Sequence, residues 1–126
     1  MNVVDSSAWL AHFADEPTSD FFSQAIEDAE LLIVPSVCIY AVFKVIVREK
    51  GEDDAFLAIA AMQQGKAIVL DADLAIEAAA VGNDEKLAFA DSIIYTITQK
   101  YNATLWTQDG HFAQKPGVQY IEKKKS

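Results

Sequence analysis

Residues 34–51, VPSVCIYAVFKVIVREKG, decide how the chain is read. The run LLIV that ends in them is short and apolar, the length of a buried strand. Pro35 and Ser36 follow, a helix start, and SVCIYAVFKVIV carries a helix over 36–49 with apolar residues on more than one face. Gly51 closes it as a C-cap. A strand that runs straight into a helix is half of a βαβ unit. Ala41 lies a little over one turn into that helix.

Working outward, the same alternation recurs. The β-rich runs NVVDSS, LLIV, AIVL, TLWT and VQYIE are separated by helical patterns at 7–13, 19–29, 36–49, 53–64, 72–81 and 89–101. The fifth, ADLAIEAAAV, is capped by Asp71 or Asp73 and is expected to stop at Gly82-Asn83. Strands alternating with helices predict an α/β domain in three layers, a parallel sheet apolar throughout because helices cover both faces. With 126 residues the chain makes a single domain, 1–126, and one site is sought.

Composition narrows the function. Nineteen acidic residues against ten basic give a net charge of −9, which excludes a protein that grips nucleic acid through a broad basic surface. Lys44, Arg48 and Lys50 share one helix, and Lys123, Lys124 and Lys125 form a tail read as a solvated terminus. The single cysteine, Cys38, sits in an apolar helical run, where it is read as a small core residue in a reducing compartment. No apolar run has the length of a membrane span and no leader-like segment opens the chain, so a soluble, cytoplasmic protein is expected.

The acids stand at strand ends. Asp5 follows Val3-Val4, and Asp109 lies just past TLWT. In open parallel sheets, ligands bind beyond the carboxyl ends of the strands, where the strand order reverses. Asp91 lies in LAFADSIIY, where Phe89, Ala90, Ile93 and Ile94 mark a buried side, so its charge needs a partner. Each acid alone has a plainer reading: Asp5 as a helix cap, Asp109 as a turn residue. Three carboxylates at one sheet edge point instead to a hard divalent cation held through oxygen.

In order and spacing, VVDSSAWL, VPSVCIYAVFKVI, LAFADSIIYTIT and ATLWTQDGHF resemble the PIN domain family, and within it the small VapC-like toxins of prokaryotic toxin–antitoxin pairs. The resemblance runs from Asn2 to about Ile121. It implies a parallel five-stranded sheet in the order 3-2-1-4-5. It also implies a ribonuclease dependent on Mg2+ or Mn2+, cutting RNA, usually homodimeric, and inhibited by a cognate antitoxin. The family's first, third and fourth acids fall on Asp5, Asp91 and Asp109, expected as catalytic and metal-binding residues. Its second, a glutamate, falls on Ala41. Thr107 and Ser6, with Ser7, match polar positions beside the acids; Thr107 and Ser6 are expected against substrate.

No other acid replaces the glutamate. Glu49 lies two turns beyond position 41, roughly 12 Å along the axis. Two explanations stay open, a Glu-to-Ala substitution of the kind that makes a toxic nuclease safe to produce, and a natural loss of activity; the intact remaining positions favour the first. Trp9, Phe112 and Tyr40 are candidates for stacking on bases, with core packing the plainer role of each. His111 is read as a solvated turn residue, since His12 offers it no pair and metal chemistry needs no imidazole. A phosphoacceptor receiver domain, with Asp71 as acceptor and Thr107 and Lys123 in support, fails because the first strand carries Asp5 alone and the two helices between strands two and three are too long an insertion. A non-catalytic PIN-like module that binds RNA or antitoxin without cutting is the remaining alternative.

Overall fold

In the computed structural model, which describes residues 1–123, five strands and six helices alternate from β1 (Asn2–Val4) to β5 (Val118–Tyr120). Lys124 and Lys125 of the basic tail lie outside the described residues. After β1 come α1 (Ser6–Phe13) and α2 (Ser19–Ile26), then a 3-10 turn at Ala29–Leu31 and β2 (Leu32–Pro35). The opening motif gives α3 (Ser36–Lys50), followed by α4 (Glu52–Met62) and β3 (Lys66–Ile68). Two further helices, α5 (Ala72–Glu85) and α6 (Phe89–Lys100), lead to β4 (Thr104–Thr107), a 3-10 turn at Gly110–Phe112, and β5.

All pairings are parallel and the order is β3-β2-β1-β4-β5. Asn2, Val3 and Val4 pair with Thr104, Leu105 and Trp106 on one side, and Asn2 and Val3 with Leu32 and Ile33 on the other. Successive strand residues point to opposite faces, and both Val3 and Val4 are fully buried, so both faces of the sheet centre are covered. The expectation of covered strands throughout fails at the rims. Lys66 and Ala67 of β3 are exposed and β5 is half-covered, because each pairs on one side only.

Gly51 ends α3 as expected, at φ 95°, its N–H donating to the carbonyls of Ile46 (3.2 Å) and Val47 (3.0 Å). The expected stop at Gly82-Asn83 does not occur: α5 runs on to Glu85 and closes on Lys86 in the left-handed region. Gly82 serves helix packing instead. A Cβ there would stand 3.1 Å from the Ser92 Cβ and 3.2 Å from the Leu87 carbonyl, so glycine lets α5 approach the start of α6. Phe89, expected on the buried side of α6, faces outward at 71% exposure; Ile93 and Ile94 are the buried pair. Trp9 and Phe112 are core residues, while Tyr40 is 67% exposed and is the one member of that stacking trio that reaches solvent. No helix among the described residues is long and apolar enough to cross a membrane.

Candidate metal centre and active site

Strand β1 ends at Val4, and Asp5 turns out of the sheet as the N-cap of α1. One carboxylate oxygen, Oδ1, accepts the Ala8 N–H at 2.9 Å and the Ser7 hydroxyl at 2.8 Å. The other, Oδ2, accepts the hydroxyl of Thr107 from the end of the neighbouring strand β4. Thr107 Oγ1 in turn accepts the Asp109 N–H at 2.9 Å. The cap reading of Asp5 is therefore realised by Oδ1, while Oδ2 ties the end of β1 to the end of β4.

Asp109 caps the short turn after β4, accepting the His111 N–H on Oδ1 at 2.9 Å. That turn brings the His111 ring between two acids, with Nδ1 3.3 Å from Asp109 Oδ1 and 3.4 Å from Asp91 Oδ2. Asp91 arrives from the first turn of α6. One donor atom from each of Asp91, Asp109 and His111 lies within 4.8 Å of the others. Asp5 borders this set through Thr107, and the charge of Asp109 reaches it.

Burial of Asp5 lifts its carboxyl to about 6, against the opposing pull of its bonds to Thr107, Ala8 and Ser7. Asp91 is raised too, first by desolvation and then by Asp109, with His111 opposing. Among the described residues, no lysine or arginine forms an ion pair with Asp5, Asp91 or Asp109. Oxygen donors that crowd together without a fixed basic partner, those of Asp5 and Asp91 also resisting ionisation, fit a divalent cation.

Compared with known families, the chain matches the PIN domain over residues 3–118. It belongs to the PIN domain family. No curated protein sequence matches it significantly. Solved structures similar to this PIN domain include a VapC toxin and toxin–antitoxin complexes, among them VapBC. A toxin–antitoxin complex from Klebsiella pneumoniae is 21% identical with a TM-score of 0.77, covering 94% of this chain and 96% of that one. VapC20 of Mycobacterium tuberculosis, a sarcin-ricin-loop-cleaving toxin, is 17% identical with a TM-score of 0.75, covering 94% and 97%. VapBC2 from Rickettsia felis, bound to a DNA fragment from its promoter, is 11% identical with a TM-score of 0.72, covering 98% of each chain.

Within the PIN domain, Ala41 stands half-buried on α3. Cys38, one turn earlier, lies under the site: its thiol is fully buried, 3.9 Å from the Val4 carbonyl, and pushed up to about 12 by burial, with the charges of Asp5 and Asp91 adding to the rise. Positions three apart are neighbours along a helix surface, so Ala41 lies one turn along α3 from Cys38 and carries no carboxylate. Ser6 turns toward Cys38, and it is Ser7 that binds Asp5. Gln108 is a residue the sequence did not mark. Its Oε1 accepts the Thr18 hydroxyl at 2.7 Å and its Nε2 donates to the Ser7 carbonyl at 3.4 Å, tying the loop after β4 to α1 and α2. Asp71 caps α5, donor Leu74 N–H at 2.8 Å, at the far rim beside β3.

Thr107 is the joint between Asp5 and Asp109. Thr107→Val keeps the shape but removes the hydroxyl, leaving Asp5 Oδ2 and the Asp109 N–H without their partner. Asp5 relieves part of the loss by holding a proton and the half-buried Asp109 N–H by reaching water, which keeps the destabilisation to about 1–2 kcal/mol. Urea unfolding checks it; an unchanged midpoint would mean that the hydroxyl holds nothing.

Proposed function

We propose that the chain is a VapC-like toxin of a toxin–antitoxin pair, an endoribonuclease dependent on Mg2+ or Mn2+ that acts in the cytoplasm and is neutralised by a cognate antitoxin. The observation that carries the reading is the connected set Asp5–Thr107–Asp109 with Asp91, gathered where β1 and β4 end and the strand order reverses. The toxin–antitoxin complexes among its structural relatives support the antitoxin.

Asp91 and Asp109 would hold the cation, with Asp5 behind them. When bound, such an ion supplies positive charge to a scissile phosphate, acidifies water and stabilises a leaving oxygen. The residues of the chain do the positioning. Thr107 sets Asp5 and the Asp109 backbone in one register. Ser7 and the α1 N-terminus fix the far oxygen of Asp5, so its carboxylate cannot swing toward solvent. A cation also reverses the local sign, letting a phosphate approach a protein of net charge −9.

Ala41 leaves the α3 side without a carboxylate, so this chain is an impaired form of the enzyme. The same residue favours the second reading, a non-catalytic module that binds RNA or antitoxin. Ala41→Glu separates them: gel assays on a panel of structured and single-stranded RNAs should show cleavage with Mg2+ or Mn2+. EDTA and Asp91→Asn should each abolish it. A variant that binds RNA yet stays inert on the whole panel would leave the non-catalytic module as the account.

The proposal includes a homodimer. Tyr40 of α3, Val69 after β3, Ile76 of α5 and Phe89 of α6 are each more than 60% exposed, large apolar side chains that a second copy would cover. The inner face of α3, Cys38, Val42 and Ile46, is already used within the protomer. Sedimentation equilibrium should give twice the chain mass at micromolar concentrations, and a monomer persisting at high micromolar would remove the dimer.

A further inference from the structure

We infer that His111 is a metal ligand whose Nδ1, standing beside Asp91 and Asp109, tilts the centre toward Mn2+ over Mg2+; this rests on the metal-dependent reading above. The spacing is the first argument. With bonds of about 2.1 Å, neighbouring ligands of an octahedral ion lie roughly 3.0 Å apart and those of a tetrahedral ion roughly 3.4 Å. Nδ1 stands 3.3 Å from Asp109 Oδ1 and 3.4 Å from Asp91 Oδ2, a few tenths of an ångström beyond the octahedral edge, so it need shift only slightly to share an ion with either oxygen.

Placement is the second argument. Asp91 and Tyr95 are four apart on α6 and so lie on one face. The turn after β4 meets both: His111 reaches Asp91, and the buried Phe112 packs at 6.1 Å on the Tyr95 ring. The His111 N–H is tied to Asp109 as well. The imidazole is therefore held at the acids by the backbone and by an anchored neighbour, although the side chain is 75% exposed. That exposure lets Nε2 hold a proton in solvent, so that Nδ1, a donor to the acids in the metal-free protein, can turn a lone pair to a bound ion. The plain alternative is a surface ion pair of small worth.

Chemistry separates the two. Mg2+ demands oxygen and keeps its waters, whereas Mn2+ accepts imidazole more readily. With no carboxylate at Ala41, the nitrogen makes up a larger share of the donors. A ligand is selective between the two ions, and an ion pair is not.

The test is Mn2+ EPR titration of the chain as it stands, with Mg2+ affinity read by displacement of Mn2+. His111→Ala should weaken Mn2+ on the order of ten- to a hundredfold and Mg2+ by less than about threefold. In protein carrying 15N-histidine, Zn2+ should shift Nδ1 of His111 as a bound nitrogen and leave Nε2 protonated. Unchanged Mn2+ affinity in His111→Ala, or equal changes for both ions, overturns the ligand assignment while the metal centre stands. If Asp91→Asn leaves both affinities unchanged, or if the parent chain binds neither ion at millimolar concentration, the metal reading falls and the assignment falls with it.

Discussion

Ala41→Glu should raise metal-dependent RNA cleavage on the order of a hundred- to a thousandfold, the usual size of one positioned electrostatic group. The helix should tolerate the change, since glutamate is nearly as good a helix former as alanine and position 41 is half-buried. The new carboxylate would join acids that already resist ionising, so without divalent ions the variant should melt below the parent. Adding Mn2+ should reverse that order, because a ligand that binds only the folded state stabilises it. Cleavage and the crossing of melting temperatures are independent readouts of one centre. A variant that melts below the parent in EDTA and gains nothing from Mn2+ or Mg2+ would show a carboxylate placed beside the acids but holding no ion.

Asp5→Asn should stabilise the metal-free protein at neutral pH by about 2 kcal/mol. The folded carboxyl keeps its proton up to about 6, whereas the unfolded one releases it near 3.8. Between those values the folded state binds more protons, so stability falls as pH rises through that window and is level on either side. The loss at neutral pH is on the order of 3 kcal/mol, at about 1.4 kcal/mol per unit. Asparagine keeps the cap to Ala8 and carries no charge, and turning the Thr107 bond around costs about 1 kcal/mol. In EDTA the two proteins should melt alike near pH 4 and diverge by roughly 6–8 °C above pH 6. Asp91, raised in the same direction, slopes both curves equally and drops out of the difference. A parent that is as stable at pH 7 as at pH 4 relative to Asp5→Asn would mean that Asp5 ionises freely in the fold.

The sheet and its rim of acids were legible because both depend on local contrast. A polar residue that ends an apolar strand, as Asp5 and Asp109 do, announces the carboxyl edge, and the sheet order then decides which ends are neighbours. Contacts that depend on how a turn folds back were not legible. His111 looked like any turn residue until Gly110–Phe112 wrapped it onto α6. Its one signal was position, two residues past an acid and just before an aromatic that must be buried. Gly82 misled for a related reason: a glycine needed by a neighbouring helix reads like one that ends its own. Phe89 misled because the first turn of α6 presents both faces to different surroundings, one of them solvent.

The pairing of Asn2 with Thr104 joins residues nearly a whole chain apart, whereas α3 with α4 and α5 with α6 meet their sequence neighbours. Closing so long a loop is entropically the hardest step, so the local helical pairs can form first and the β1–β4 seam last. The acids straddle that seam. A nascent chain still short of Asp109 carries no complete site however much of it has already folded. Chain connectivity is thus a timing device: whatever chemistry the site carries is withheld until synthesis has passed Asp109.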